Sequence, residues 1–210
     1  MPTPIAHEEE RERWNKRFAE EGYHFGTEPN AFLVSQAGRL APGMSALSVG
    51  DGEGRNSVWL AQRGLKVTAF DFSPVALEKA KALARASGVE VDYRLCDLSA
   101  WDWDAVQFDV IAGIFVQFAT PPERARMFAG MCRALRTGGL LLLQGYRPEQ
   151  IAYGTGGPSQ PERLYTAVML KQAFAALEIL ELREHDDEVR EGKGHNGMSA
   201  LIDLVARRPR

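Results

Sequence analysis

Cysteine is nearly absent: Cys96 and Cys132 are far apart and match no CxxC pattern, which argues against a disulfide framework or a cysteine-based metal site. A reducing cytoplasm is the simplest compartment for such a chain. No run approaches the roughly 18 apolar residues that a membrane span requires. The start, His7-Glu8-Glu9-Glu10, is acidic and has no apolar signal-like region, so a soluble, non-exported protein is expected. A surplus of positive charge is also missing. The net charge is -3 and the pI about 5.9, which gives no broad attraction to a polyanion, and the basic end Arg207 to Arg210 reads as a solvated terminus. Neither nucleic acid nor membrane is therefore an expected partner, and a small molecule is; monomer and homodimer both remain open. The chain further lacks a nucleophile beside a base and a histidine-carboxylate cluster with metal spacing, so no metal is expected. It has no internal repeat or low-complexity tract, and its 210 residues suit one domain with a sizeable core.

What the chain does have is concentrated in Ala46 to Asn56, ALSVGDGEGRN, where a short apolar strand runs into three glycines spaced two apart and then into an amphipathic helix. Gly50, Gly52 and Gly54 carry no Cβ, so the backbone can turn sharply and lie against a ligand while the helix N-H groups point toward the same pocket. Leu65 to Phe70 reads as a second strand ending in Asp71, about 20 residues beyond the first glycine, where an acid can accept both hydroxyls of a ribose. A dinucleotide fingerprint needs a small third residue at G-x-G-x-x-G/A. Here that position is Arg55, which disfavours a nicotinamide oxidoreductase.

The remaining pattern alternates helices and strands. Residues 6 to 20 read as a charged helix with Trp14 and Phe18 on one face, followed by an aromatic, turn-rich segment Tyr23 to Asn30 and a helix at Ala31 to Leu40. Residues 1–40 are expected to form a lid and 41–210 the core. Ser73-Pro74 starts a helix over Val75 to Ala86, Val89 to Leu95 is the third strand, and Cys96-Asp97-Leu98 places a second acid at a strand end. Phe108 to Phe115 is a buried fourth strand. A helix with Phe128, Met131, Cys132 and Leu135 on its core face ends at Gly138-Gly139, and Leu140 to Gln144 is the fifth strand. A long loop, Gly145 to Pro161, precedes a helix at Ala167 to Leu177. Two strands, Ile179 to about Arg190 and Met198 to Arg207, then form an antiparallel hairpin around a glycine-rich turn at 191–197. The expected fold is α/β: a doubly wound, mostly parallel seven-stranded sheet, with ligands bound beyond the strands' carboxyl ends. Tyr146, Arg147 and His195 lie on that rim as candidates to hold an acceptor. His7, His24 and His185 read as surface residues.

These motifs, in this order and spacing, resemble the class I S-adenosylmethionine-dependent methyltransferases across nearly the whole chain. Trp14-x-x-Arg17-Phe18 with Tyr23-x-Phe25-Gly26-Thr27-Glu28-Pro29-Asn30 is similar to the tellurite-resistance and thiopurine-methyltransferase-like groups. The resemblance implies a Rossmann-like methyltransferase fold with its reversed last strand, S-adenosylmethionine as cofactor, and a small-molecule acceptor such as tellurite, selenite or a thiol. It also implies cofactor contacts from Trp14, Gly50, Asp51, Gly52, Gly54, Asp71, Phe72, Ser73, Cys96, Asp97, Leu98, Gly113 and Phe115. One position departs from the family: Ser48 stands where an acid usually orients the methionine amino group, and Asp51 is the candidate to take over. A non-catalytic protein that binds S-adenosylmethionine is the alternative reading.

Overall fold

The computed structural model describes residues 4–210, with side chains from Glu8 onward; His7 therefore lies outside the described side chains. Seven strands make one sheet in the order β3-β2-β1-β4-β5-β7-β6, where β1 is Ser45–Val49, β2 Lys66–Asp71, β3 Asp92–Leu95, β4 Phe108–Ile114, β5 Leu135–Tyr146, β6 Glu178–Glu191 and β7 His195–Arg207. The first five are parallel to one another, and β7 runs antiparallel to both β5 and β6. This is the doubly wound architecture with a reversed last strand. The helices are α1 Pro4–Phe18, α2 Ala31–Ser35, α3 Arg55–Gln62, α4 Pro74–Ala86, α5 Pro121–Ala134, α6 Gln150–Tyr153 and α7 Ala167–Ala173.

Period-2 alternation along the strands builds two cores. Leu47 and Val49 of β1, Ile111 of β4 and Leu141 and Leu143 of β5 join Met127, Phe128, Met131 and Phe174 on one face. Ala46, Val110, Ala112, Leu142 and Val205 join Leu33, Leu60 and Val67 on the other. Met131 is fully buried as its helical spacing requires, and Cys132 packs partly buried beside it. The helix starts follow local chemistry: Ser73 Oγ accepts from Ala76 N at 3.1 Å with Pro74 at the first helical position, and Thr120 and Glu123 cap α5 reciprocally.

Several boundaries differ from the sequence reading. α5 ends at Ala134, four residues before the glycine pair, because Gly138 (φ 79°) turns inside an extended segment that hydrogen-bonds to Arg208. The third strand is shorter, the predicted second helix splits into α2 and a single 3-10 turn at Ala37–Arg39, and the long loop contains α6. The last hairpin is longer than expected. β6 and β7 pair as far as Glu191 and His195, leaving only Gly192, Lys193 and Gly194 as the turn.

Candidate functional site

The chain moves from β1 to β2 on one side and returns to β4 on the other, so the carboxyl ends of β1 and β4 part at a topological switch. The glycine loop fills that point. Gly50, Gly52 and Gly54 all have positive φ (57°, 61° and 96°), which other residues rarely adopt. A Cβ on Gly50 would stand 2.9 Å from the Phe118 ring, and one on Gly54 would stand 2.8 Å from Ala80 of α4. The first glycine thus keeps the cleft floor open, and the third lets α3 and α4 approach.

Two adjoining cavities share Gly50, Asp71, Phe72 and Phe118. The smaller, about 280 Å³, is also lined by Cys96, Asp97, Leu98 and Trp101. The larger, about 840 Å³, runs from the glycine loop under Trp14, Phe18 and Phe25 to Phe115, Tyr146 and His195. Together they are of ligand-site size. The rings of Phe72 and Phe118 are nearly parallel, 10° apart in plane, with centroids 6.4 Å apart.

Asp71 ends β2 with its carboxylate held from two sides. Gly52 N donates to Oδ2 at 2.9 Å and Ser73 N to Oδ1 at 2.9 Å. Burial nevertheless pushes its pKa up to about 6, with nearby Asp51 adding to the rise. Asp51 is buried beneath the loop: Ser48 Oγ donates to Oδ1 at 2.7 Å and Ser57 Oγ to Oδ2 at 2.5 Å, while burial raises its pKa. Ser48 and Asp51 are therefore direct hydrogen-bond partners.

The other expected site residues divide by location. Trp14, Phe72 and Phe115 line the larger cavity, and Cys96, Asp97 and Leu98 the smaller one. Ser73 is buried as the α4 cap, its hydroxyl donating to Asn15 Oδ1 at 2.6 Å. Gly113 lines neither cavity; a Cβ there would meet Leu143 and Met131 in the core, so its lack of a side chain serves packing. Arg147 is also displaced. Its Nε donates to the Leu201 carbonyl at 3.0 Å and its guanidinium pairs with Asp186, which directs it along the hairpin and away from the cleft. Tyr146, which precedes it, points the opposite way as strand alternation demands, and is buried in the cleft wall.

Two histidines differ from the surface assignment. His185 Nε2 lies 2.8 Å from Asp203 Oδ2, and His24 lines the cleft with its Nδ1 buried. His195 is not a loop residue. It opens β7, is 7% exposed, and packs against Phe25 and Phe115 at centroid distances of 4.5 and 4.3 Å. Phe115 itself has φ 55°, the one non-glycine residue with positive φ among the described residues, and stacks on Tyr146 at 4.6 Å. A strained backbone at the end of β4 thus holds one wall of the cleft.

A polar network that sequence reasoning missed lies behind that wall. Arg55 donates to Glu191 Oε2 at 2.6 Å, Asn30 Nδ2 donates to Glu191 Oε1 at 2.9 Å, and the same Asn30 nitrogen reaches Gln144 Oε1 at 2.7 Å. Burial alone would raise the Glu191 pKa, but His195 and Arg55 hold it near 2. A second clamp sits at the glycine loop. Glu53 accepts from His24 N at 2.7 Å and pairs with Lys79 at 3.0 Å, so the N-terminal arm is fastened to the loop. A buried glutamate inside a glycine motif was the available signal.

This donor set suits a nucleoside-bearing ligand: a bare glycine floor that a Cβ would obstruct, a buried acid at the end of β2, and paired flat rings beside it. Among the described residues no cluster of ligands could hold a metal ion.

Residues 46–139 match the family described as Methyltransferase domain. An uncharacterized protein of Mycobacterium tuberculosis is 36% identical over 118 residues, covering 56% of this chain and 42% of the relative. A ubiquinone biosynthesis O-methyltransferase of Methylocella silvestris is 33% identical over 109 residues, covering 50% and 41%. The matched segment thus spans less than half the length of these relatives. Among solved structures, the N-methyltransferase NodS of Bradyrhizobium japonicum WM9 with S-adenosyl-l-homocysteine superposes with a TM-score of 0.73 at 15% identity, covering 95% of this chain and 98% of that one. TehB of Haemophilus influenzae gives 0.70 at 19% identity, covering 85% and 62%. Residues 46–139 match the Methyltransferase domain model, and the chain shares its fold with these solved structures.

Proposed function

We propose that the protein transfers the methyl group of S-adenosylmethionine to a small molecule bound at the His195 end of the larger cleft. The observation that carries this reading is the junction at Gly50, where a side-chain-free floor joins a cavity sized for a nucleoside to a larger one walled by aromatic rings. On this reading Asp71 accepts the ribose hydroxyls, Asp97, Leu98, Phe72 and Phe118 enclose the base, and the backbone of Gly50 to Gly52 carries the amino-acid portion. The bound cofactor supplies an electrophilic methyl on a sulfonium, so the chain's own work is positioning and exclusion of water.

The arm and the 156–160 loop roof the cleft and act as its lid. Arm residues Trp14, Phe18 and Phe25 and loop residues Gly156 to Gln160 face one another across it, and Lys193 N and Gly194 N donate to the His24 carbonyl at 2.8 and 3.2 Å. Such a chamber admits a small acceptor and excludes a polymer. The similarity of the arm to the tellurite-resistance and thiopurine-methyltransferase-like groups supports oxyanions and thiols as candidates, and the O-methyltransferase relative supports hydroxyls. A transfer assay with isotopically labelled S-adenosylmethionine against tellurite, selenite, small thiols and phenols tests the reading. Labelled product from at least one class is expected. Cofactor binding with no transfer to any of them would favour the non-catalytic alternative, and the absence of cofactor binding would overturn both.

A further inference from the structure

We propose that His195 is the general base of this site, that Glu191 and Arg55 position it, and that the acceptor is a neutral phenol-type hydroxyl on a flat ring. The proposal rests on the methyltransferase reading above. His195 lies in the inner wall of the 840 Å³ cleft, its ring tilted 40° against Phe25 and edge-on to Phe115, with the Tyr146 ring at 5.7 Å. Its Nδ1 stands 3.8 Å from Glu191 Oε2, within ion-pair reach though longer than a hydrogen bond. The Glu191 carboxylate cannot turn, because Arg55 holds Oε2 at 2.6 Å and Asn30 holds Oε1 at 2.9 Å. An imidazole whose Nδ1-H faces that carboxylate keeps its lone pair on Nε2, which has no hydrogen-bond partner among the described residues. A ring nitrogen oriented by a fixed carboxylate and open toward a cleft is the arrangement a base requires.

The surroundings decide which acceptor needs it. The charged and titratable groups around His195 are Glu191, Arg55, His24, Tyr146 and, on the adjoining turn, Lys193. Burial and Arg55 favour the neutral imidazole, while Glu191 opposes them. Arg55 is neutralised by Glu191, and Arg17 and Lys193 are exposed at the rim, so no unpaired cation among the described residues lines the inner wall. A permanent oxyanion would lack a partner there. A phenol, with a pKa of about 10, lies close enough to imidazole for proton transfer and matches the flat apolar walls of Phe25, Phe115 and Tyr146. In the step, the acceptor O-H bond breaks and its proton goes to His195 Nε2. The oxygen forms the new C-O bond as the C-S bond breaks, its electron pair leaving on sulfur, and the imidazolium then releases the proton to water.

The test uses the full chain saturated with S-adenosylhomocysteine and 4-nitrophenol as probe, read by its phenolate absorbance at a pH one unit below the free phenol's pKa. Bound probe should show a measurable phenolate fraction in the wild type, above that of the free phenol at the same pH. His195→Asn should still bind it but as the neutral phenol, and Glu191→Gln should lower the phenolate fraction several-fold, a change that a purely structural role would not produce. With phenols of rising pKa, the rate loss in His195→Asn should grow toward the 10²–10⁴-fold range of general-base catalysis. Neutral or unbound 4-nitrophenol in the wild type, or an unchanged spectrum in both variants, overturns the proposal. Calorimetry with S-adenosylhomocysteine separates the two readings: binding without phenolate removes only the base, whereas no binding removes the methyltransferase reading itself.

Discussion

At the scale of single residues, the two acids of the glycine region have different duties. Asp71 faces both cavities, so Asp71→Ala should weaken S-adenosylmethionine binding by about 1.5–3 kcal/mol, the range for hydrogen bonds to a charged group, with the fold retained; isothermal titration reads this directly, and unchanged affinity would exclude Asp71 from the site. Its pKa also makes a stability prediction. A carboxyl raised from 3.8 to about 6 by folding favours the protonated native state, so its stabilisation is complete below pH 3.8 and is lost as pH rises through about 6. Relative to the non-titrating Asp71→Asn, the ligand-free wild type should therefore lose up to about 3 kcal/mol between pH 4 and pH 7. Denaturant titration at both values checks the sign. Asp51 is enclosed by two serine hydroxyls, which changes what Ser48 can tolerate. Sequence alone suggests that Ser48→Asp would gain cofactor affinity; the structure puts that second carboxylate beside Asp51, where like charges repel. Ser48→Asp alone should destabilise, and the exchange Ser48→Asp with Asp51→Ser should restore stability. A double-mutant cycle showing simple additivity would mean the two positions are uncoupled.

At the scale of elements, the N-terminal arm is fastened by side chains of the core that hydrogen-bond its backbone, in addition to its aromatic contacts. Glu53 accepts from His24 N and Phe25 N at 2.7 and 3.4 Å, and Lys79 Nζ bonds the Glu20 and Gly22 carbonyls at 2.8 and 2.5 Å. Because Glu53 belongs to the glycine loop, a ligand lying on that loop and the position of the arm are mechanically joined. Glu53→Ala should raise hydrogen exchange at residues 20–26 and lower stability by roughly 1–3 kcal/mol, the cost of leaving buried donors unpaired. Adding S-adenosylmethionine to the wild type should protect both the arm and residues 156–160. If cofactor changes neither segment, the arm is a fixed wall and not a lid.

At the scale of the whole molecule, ligand binding and folding are linked. S-adenosylmethionine at about 100 times its dissociation constant should stabilise the protein by about 2.7 kcal/mol, or roughly 5–11 °C in melting temperature for a domain of this size. NAD should shift it little, because Arg55 at the third fingerprint position is engaged with Glu191 and leaves no small residue for a pyrophosphate turn. A larger shift with NAD than with S-adenosylmethionine would reverse the assignment of the cleft.

The succession of strands and helices, the glycine loop and the acid ending β2 were legible because each depends on local rules: period-2 burial, positive φ that only glycine accepts freely, and caps within three residues. The chain's own pattern therefore determined the fold class, the place of the candidate cleft at the strands' carboxyl ends and the core role of Met131. What tertiary structure decided concerns residues brought together across long sequence separations. Asn30, Arg55, Glu191 and His195 come from the arm, α3, β6 and β7, and no spacing rule links them; a turn-rich 191–197 segment hides two strand ends. Arg147 and Tyr146 illustrate the same limit at one step's distance. The sequence places both on the rim, but strand alternation and an acidic partner on β6 turn the arginine outward and leave the tyrosine in the cleft. Local chemistry sets where the backbone goes; which side chains meet inside the cleft depends on the packing of four elements at once, and only the folded chain fixes it.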